Sequence, residues 1–141
     1  MTDGNGIPIA AVITAGQAHE SKSVEDAMNA VRIEQHGPGR PRCRPAALAG
    51  DKGYSYRHVR RWLHRRKITP VVPQRSDQVG RKGGCRVFDK EAYRGRNVVE
   101  RCANWLKECR RVCTRYEKLA VNFVGMIDLA IIERLLRLLA R

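Results

Sequence analysis

The sequence predicts an α/β fold in which part of the sheet is parallel. The main observation is the order of segments between residues 24 and 72, where patterns typical of helix, strand, helix and strand follow one another. A second observation is that hydrophobic residues make up 43% of the 141 residues, which is too many for a disordered basic tail. This composition and length predict a single domain over residues 1–141, with a core of ordinary size.

The first third of the chain combines a turn, an apolar run and a helix start. Residues 3–6 include Asn-Gly and predict a turn, and the apolar run over 7–15 has the length of a strand. Ser23 opens a segment that resembles a capping box, so we expect a helix from there to about Gln35. A basic loop rich in glycine and proline is expected over 36–45.

The middle third predicts a strand, a helix and a second strand. A short buried strand is expected over 46–50 and another over 68–72, although Pro70 weakens the second pattern. The helix between them has arginines on one face and apolar residues on the other, namely Tyr56, Val59, Trp62 and Leu63. A glycine-rich basic loop is then expected over 74–92.

The last third is predicted to be helical. One helix is expected from Arg94 to about Cys113, and residues 114–117 resemble a capping box that would begin another. We expect the second helix to pack across the sheet through a wide apolar face. The residues of that face are Leu119, Phe123, Met126, Ile127, Ala130, Ile131 and Leu135.

The charge of the chain predicts a polyanionic partner. Lysine and arginine total 28 and aspartate and glutamate total 14, so the net charge is +14. The charge is uneven, because residues 1–35 carry −3 and residues 36–141 carry +17. A nucleic-acid-binding face on the later two thirds would produce this distribution. A basic surface that only binds counterions is the alternative.

Several classes of protein are disfavoured by the same sequence. The N-terminus has neither the basic nor the apolar region of a signal peptide. The most apolar stretch, over 119–132, is interrupted by Asn122 and Asp128, so we expect no membrane span. Five cysteines, an odd number, favour a reduced cytoplasmic location over a disulfide framework.

Five residues are candidates for chemistry. Asp51 follows a predicted strand, where open α/β sheets place their sites, although aspartate is also a common helix cap. On one continuous helix, a stripe within about 60° of arc would contain the other four, which are Tyr93, Arg96, Glu100 and Lys107. A carboxylate flanked by cations suits Mg²⁺ beside DNA phosphates. The alternative is a surface ladder of ion pairs, because Arg96 and Glu100 are four residues apart.

Several segments resemble the C-terminal part of the catalytic domain of DDE transposases from bacterial insertion sequences. The four residues of the stripe reproduce, position for position, the tyrosine, arginine, glutamate and lysine signature of the insertion-sequence-four superfamily. The most similar group within it is the insertion-sequence-five-like one. The other matching segments are TAGQAH at 14–19, AGDKGY at 49–54, WLK at 105–107 and RRVCTRY at 110–116.

The resemblance implies an RNase H-like fold and a metal-binding triad of two aspartates and one glutamate. Carried over by position, Asp51 is the second aspartate and Glu100 is the glutamate, and both would hold Mg²⁺ or Mn²⁺. The DNA terminus would be gripped by Tyr93, Arg96 and Lys107.

The first aspartate of the family's triad would precede the turn at 3–6. The first strand and most of the second would therefore fall outside this chain, which resembles a truncated RNase H-like domain. Two carboxylates bind a pair of metal ions more weakly than three, so we expect the chain alone to be poorly active or inactive as a transposase.

The function implied by the resemblance is metal-dependent DNA cleavage and strand transfer in transposition. The implied partners are DNA, at transposon ends and target, and either a second copy of the chain or a complementing N-terminal transposase chain. A location in the cytoplasm at the nucleoid follows. One alternative is a non-catalytic basic DNA-binding remnant that interferes with a full-length relative. Another is an RNase H-like nuclease unrelated to transposition, against which the spacing of the signature argues.

Three cysteines are expected on one helical face, at positions 102, 109 and 113. A zinc site is conceivable there, but no histidine nearby completes it. We therefore expect these cysteines to be buried packing residues.

Overall fold

The computed structural model describes residues 1–79 and 88–140 of the chain, which form two compact units. The first, here named the sheet unit, is Thr14–Arg96. The second, the helical unit, combines Met1–Ile13 with Asn97–Arg141. Residues 80–87 of the basic loop predicted over 74–92 lie outside the described residues.

The sheet unit contains a parallel strand–helix–strand arrangement, as the order of segments predicts. Helix α1 (Val24–Asn29) comes first, followed by strand β1 (Ala47–Ala49). Helix α2 (Arg57–Arg65) then connects β1 to β2 (Thr69–Val71), and the two strands pair in parallel. A parallel strand pair joined by a helix confirms the mixed α/β class.

The parallel pair is short, and one of its strands is less buried than predicted. Ala47 lies opposite Thr69 in the register, and each strand is three residues long. The strand expected over 46–50 is formed at Ala47–Ala49, but its expected burial is wrong, because both alanines are exposed and Leu48 is half-buried. Burial in this unit is concentrated in α2 and around β2.

Helix α2 supplies the centre of the sheet-unit core. Val59, Trp62 and Leu63 are buried, as their helical spacing predicts, and Leu63 is completely inaccessible to solvent. The remaining buried apolar residues of this unit are Val24, Met28, Val31, Ile68, Val71 and Val72. The hydrophobic effect therefore fixes α2 with one face inward and the opposite face in solvent.

The helix expected to run to Gln35 is much shorter. α1 ends at Asn29, and Ile33 instead forms an antiparallel bridge with Arg42. The two residues exchange backbone hydrogen bonds of 3.0 and 2.8 Å. These bonds between two separate segments of the chain replace the helical bonds that residues 31–35 would otherwise make. The prediction of a helix is therefore wrong there.

The single helix expected over 94–113 is interrupted twice. The structure has α3 (Lys90–Arg94), α4 (Asn97–Glu108) and α5 (Arg110–Cys113) in its place. The first interruption is at Gly95, a residue that is about 1 kcal/mol less favourable than alanine inside a helix. The second is at Cys109, whose backbone is extended.

Helix α6 (Ala120–Leu139) begins later than the sequence predicts. Residues 114–117 do not act as a capping box, because the Thr114 hydroxyl donates to the carbonyl of Arg110 at 2.7 Å and closes α5 instead. Arg115 follows with a left-handed φ of 46°, which ends the helical path. The new helix therefore starts only after Leu119.

Helix α6 contacts α4 and α5 within the helical unit. Ile127 and Ala130 are buried, whereas Leu119 is 64% exposed, so the predicted apolar face is confirmed only in part. Its packing across the sheet stays a prediction, because the sheet belongs to the other unit. In the two described ranges, no helix is both long and apolar enough to cross a membrane.

The apolar run over 7–15 does not form the expected strand. Its pairing is one isolated antiparallel bridge between Thr2 and Pro8. The turn before it is formed as predicted, with Oδ1 of Asp3 accepting from the backbone N–H groups of Asn5 and Ile7 at 2.9 and 2.8 Å. The N–H of Asp3 donates to the Ile7 carbonyl at 2.9 Å on one side of this bridge, so the pairing does not depend on the N–H that Pro8 lacks.

Candidate active site and nucleic-acid interface

Asp51 lies just beyond the C-terminal end of β1 and begins a short 3-10 turn. Its Oδ1 accepts a hydrogen bond of 2.8 Å from the N–H of Gly53. The residue is therefore a cap, as the alternative interpretation of the sequence expects. The side chain is nevertheless exposed, so the cap directs the carboxylate without burying it.

Glu20 is the acidic neighbour of Asp51, and the sequence analysis missed it. Both carboxylates lie near the point that a Cβ on Gly53 would occupy, with Oδ1 of Asp51 at 2.9 Å and Oε2 of Glu20 at 3.6 Å. The two oxygens are therefore at most about 6.5 Å apart, the sum of those distances. The available signal was that Glu20 directly follows the segment at 14–19 that resembles the transposase family.

Tyr54 responds to both carboxylates. Burial raises the pKa of its hydroxyl, and the negative charges of Glu20 and Asp51 and a hydrogen bond to Glu20 raise it further. Tyr54 therefore stays protonated and can donate to Glu20. This contact joins the turn that contains Glu20 to the turn that follows Asp51.

Tyr56 makes a second connection between the same two parts of the sheet unit. Its hydroxyl lies 2.8 Å from Nε2 of His19 and accepts a bond of 2.7 Å from Nη1 of Arg75. Nδ1 of His19 accepts from the N–H of Ser21 at 3.2 Å, so in the neutral ring the proton belongs on Nε2, which donates to Tyr56. The tyrosine oxygen therefore accepts from two donors, the imidazole of His19 and the guanidinium of Arg75.

Tyr93 and Arg96 are brought together as predicted, but on different secondary structure. Tyr93 is on α3, and Arg96 lies in the turn after it, where its N–H bonds the Tyr93 carbonyl at 3.0 Å. The Arg96 guanidinium lies 5.4 Å from the centre of the Tyr93 ring. Phe88 packs against the same ring, with centroids 5.2 Å apart. Cation–π contact and ring packing therefore hold this pair.

Glu100 and Lys107 both lie on α4. Glu100 is in its first turn and Lys107 in its last, which places each charge at the favourable end of the helix dipole. Seven residues correspond to nearly two turns, so the two side chains share a face with an axial separation of about 10 Å. Both residues are exposed to solvent.

The four signature residues do not form the expected stripe on one helix. α3 ends before Arg96 and α4 starts after it, because the helix is interrupted at Gly95. Tyr93 and Arg96 belong to the sheet unit together with Asp51. Glu100 and Lys107 belong to the helical unit. The meeting of all five residues at one site stays a prediction.

The carboxylates have the right chemistry for the metal that the family resemblance implies. Mg²⁺ and Mn²⁺ prefer hard oxygen ligands, and Asp51 and Glu100 both present carboxylates to solvent. Considering residues 1–79 and 88–140, no group of three or more His, Cys, Asp or Glu side chains is arranged to hold an ion. The donor type therefore fits, and Mg²⁺ commonly completes such a ligand set with water and substrate phosphate oxygens.

The three cysteines of the last third have different environments. Cys102 is buried in α4, and burial raises the pKa of its thiol, which agrees with a packing role. Cys109 is half-buried at the helix break, and Cys113 is exposed, so the prediction of packing is wrong for Cys113. The expected common face is lost because α4 and α5 are separate helices.

Comparison with known proteins agrees with the sequence signature. The model of the transposase DDE domain family matches residues 1–132. A proposed transposase for insertion sequence element IS402 of Burkholderia cepacia is 32% identical over 120 residues, which are 85% of this chain and 53% of that protein, so the chain spans about half the relative's length. No solved structure shows significant similarity to the chain. The family match over almost the whole chain establishes that this protein belongs to the DDE transposases of bacterial insertion sequences.

Proposed function

We propose that the chain acts in DNA transposition as part of an RNase H-like catalytic domain that cleaves transposon ends and joins them to target DNA. The observation that carries this proposal is the position of Asp51. Its carboxylate is exposed beyond the C-terminal end of a parallel strand and is directed by the N–H of Gly53. The crevice outside the carboxyl ends of strands is where open α/β sheets bind their ligands.

Two carboxylates carry the metal-binding part of the proposal. Asp51 and Glu100 would hold divalent ions, and Glu100 presents its charge from the first turn of α4. Bound Mg²⁺ or Mn²⁺ would supply Lewis-acid activation for phosphoryl transfer, which amino-acid side chains alone supply poorly. Glu20 lies close enough to Asp51 to add to the negative potential there.

The remaining signature residues would position DNA. Lys107 offers an exposed ammonium two turns from Glu100 on the same helix. Arg96 stacks over Tyr93, an arrangement that orders its guanidinium for contact with phosphate. Both cations would bind the phosphodiester backbone, and the carboxylates would hold the metal ions that activate it.

The test is metal-dependent nicking of supercoiled plasmid carrying transposon ends. The variants Asp51→Asn and Glu100→Gln are compared with two matched controls, Asp77→Asn in the sheet unit and Glu108→Gln on α4. The proposal predicts weak Mn²⁺-dependent nicking in the unmodified chain and in both controls, because two carboxylates bind a metal pair less tightly than three, and it predicts loss of this nicking in both site variants. Nicking that persists in either site variant would contradict the assignment of that carboxylate.

A second candidate function is DNA binding without catalysis. The observation that favours it is the net charge of +17 over residues 36–141. Duplex binding without any nicking, equal in the unmodified chain and in all four variants, would establish this alternative. The same result would exclude metal-dependent cleavage by this chain.

A further inference from the structure

The solvent-facing side of α2 contains only arginine and histidine. With Val59, Trp62 and Leu63 buried, an arc of about 120° faces outward. The residues on that arc are His64, Arg57, Arg61, Arg65 and His58, in order around the helix, and all five are exposed. Arg57, Arg61 and Arg65 follow one another at intervals of four residues and form what we name the α2 ridge.

The structure distinguishes the three ridge arginines from two other arginines of the same segment. Nη2 of Arg60 donates to the carbonyl of Val72 at 2.7 Å and to Oγ of Ser55 at 3.1 Å. The Arg66 guanidinium lies 4.2 Å from the centre of the Trp62 ring. These two side chains therefore have roles within the fold, which the sequence alone did not reveal.

The ridge arginines have no comparable partners in the described part of the chain. No ion pair between described residues includes any of the three. α2 has no acidic residue along its length. Positive charges four residues apart destabilise a helix, and Arg57 also lies at the unfavourable end of the helix dipole. The ridge is thus a concentration of charge that folding does not require.

From this arrangement we infer that the α2 ridge binds the phosphate backbone of duplex DNA, through residues other than Asp51 and the four signature residues. This inference rests on the proposed function in transposition. Successive ridge arginines are about 6 Å apart along the helix axis, so the three span about 12 Å. One DNA strand presents a phosphate about every 3.4 Å along its axis, so the ridge can reach two or three phosphates of one strand.

The chemistry of the ridge predicts contact that does not depend on DNA sequence. Guanidinium groups pair with phosphate oxygens through two parallel hydrogen bonds. Such contacts fix the position and orientation of a protein on the duplex, and they release counterions. The ridge would therefore hold flanking DNA while other residues act on the transposon end.

The test measures binding of a fluorescent DNA duplex by anisotropy as a function of salt concentration. The ridge variant carries Arg57→Gln, Arg61→Gln and Arg65→Gln. A control variant with Lys118→Gln, Arg134→Gln and Arg137→Gln loses the same charge from the helical unit. Removing two or three phosphate contacts should reduce the magnitude of the slope of log K against log salt by about 1.8 to 2.7. The unmodified chain should then lose about 12- to 40-fold more affinity than the ridge variant between 50 and 200 mM salt.

The control variant should change the slope by less than one unit. Equal changes in both variants would overturn the inference, because net charge would then explain the binding. An unchanged slope in the ridge variant, with normal binding by the unmodified chain, would overturn the inference about the ridge. The proposed function would remain intact. Failure of the unmodified chain to bind duplex DNA would contradict the proposed function itself.

Two further measurements keep the inference testable if the triple variant folds poorly by circular dichroism. Each single glutamine substitution should lower the slope by about one unit. Replacement of all three arginines by lysine should preserve the slope, because the charges remain. If the ridge variant loses binding to vesicles of anionic phospholipid while its DNA binding is unchanged, the ridge recognises a membrane surface. That result would overturn the inference.

Discussion

The hydroxyl of Tyr56 lies 2.8 Å from Nε2 of His19, and this contact joins residues that are 37 positions apart in the sequence. The two rings also meet edge to face, with centroids 4.8 Å apart. Next to this contact, Glu20 approaches Tyr54 and Asp51. The segment after residue 14 is thereby fixed against the turn that presents Asp51, so residues distant in sequence determine the surroundings of one candidate catalytic carboxylate.

Replacing Tyr56 with phenylalanine should destabilise the sheet unit by about 1 kcal/mol, because the hydroxyl that accepts from His19 and Arg75 is lost. Urea unfolding measures the change. Tyr116→Phe is the matched control, since Tyr116 is 70% exposed and should change the free energy of unfolding by less than about 0.5 kcal/mol. Equal effects of the two substitutions would contradict the role assigned to Tyr56.

Replacing Glu20 with glutamine should lower the pKa of Tyr54 toward its ordinary value, since one of the charges that raise it is removed. Ultraviolet absorbance of tyrosinate follows the titration, and Tyr54→Phe identifies the component that belongs to Tyr54. If the Tyr54 titration is unchanged or moves to higher pH in Glu20→Gln, the proximity of the two groups is wrong.

The raised pKa of Tyr54 also predicts how stability changes in alkali. The folded chain holds this proton more tightly than the unfolded chain, whose tyrosine pKa is about 10. The stabilising contribution is therefore complete below pH 10 and is lost as the pH rises toward the folded value. In Tyr54→Phe the free energy of unfolding should decline less steeply above pH 10. Identical declines in the two proteins would contradict the assignment.

Replacing Leu63 with alanine should lower the free energy of unfolding by about 2–5 kcal/mol, because Leu63 is fully buried in the α2 core. Leu139→Ala removes the same atoms from a side chain that is 83% exposed and should have an effect below about 0.5 kcal/mol. Chemical denaturation followed by circular dichroism compares the two. A small effect at Leu63 would show that the packing of α2 is wrong.

Arg60 and Arg61 should respond differently to the same substitution. Arg60→Gln removes charged hydrogen bonds to Val72 and Ser55 and should cost about 1–3 kcal/mol of stability. Arg61→Gln, on the exposed face of α2, should leave stability within about 0.5 kcal/mol of the unmodified chain. Thermal or urea unfolding checks both values, and a reversed order would contradict the orientation of α2.

The fold was predictable where local pattern and tertiary contacts agree. The spacing of Val59, Trp62 and Leu63 predicted both the existence of α2 and its buried face. The prediction failed where a few contacts outweighed the periodicity. The bridge between Ile33 and Arg42 replaced the end of a helix, and the Thr114 hydroxyl closes α5 instead of capping the helix that follows. Such competition between nearby backbone partners cannot be read from spacing alone.

The roles of the candidate site residues stay predictions, and their arrangement was predictable only in part. The signature spacing identified Tyr93 and Arg96, and the structure brings them together. The assumption of one continuous helix failed at Gly95, so the angular argument for a common stripe does not hold. Glu20 was not predicted, because its proximity to Asp51 arises only when the sheet unit folds and leaves no periodic pattern in the sequence.

The most direct test of the account asks whether Asp51 and Glu100 share one metal site on DNA. Fe²⁺ replaces Mg²⁺ at oxygen sites, and with ascorbate and peroxide it cleaves the protein backbone close to where it binds. When a DNA duplex is bound, the account predicts cleavage of the backbone near residue 51 and near residue 100. Added Mg²⁺ should suppress this cleavage. Either substitution, Asp51→Asn or Glu100→Gln, should abolish cleavage at both places. Cleavage near only one of the two residues, or cleavage that persists at one after substitution of the other, would contradict a shared site.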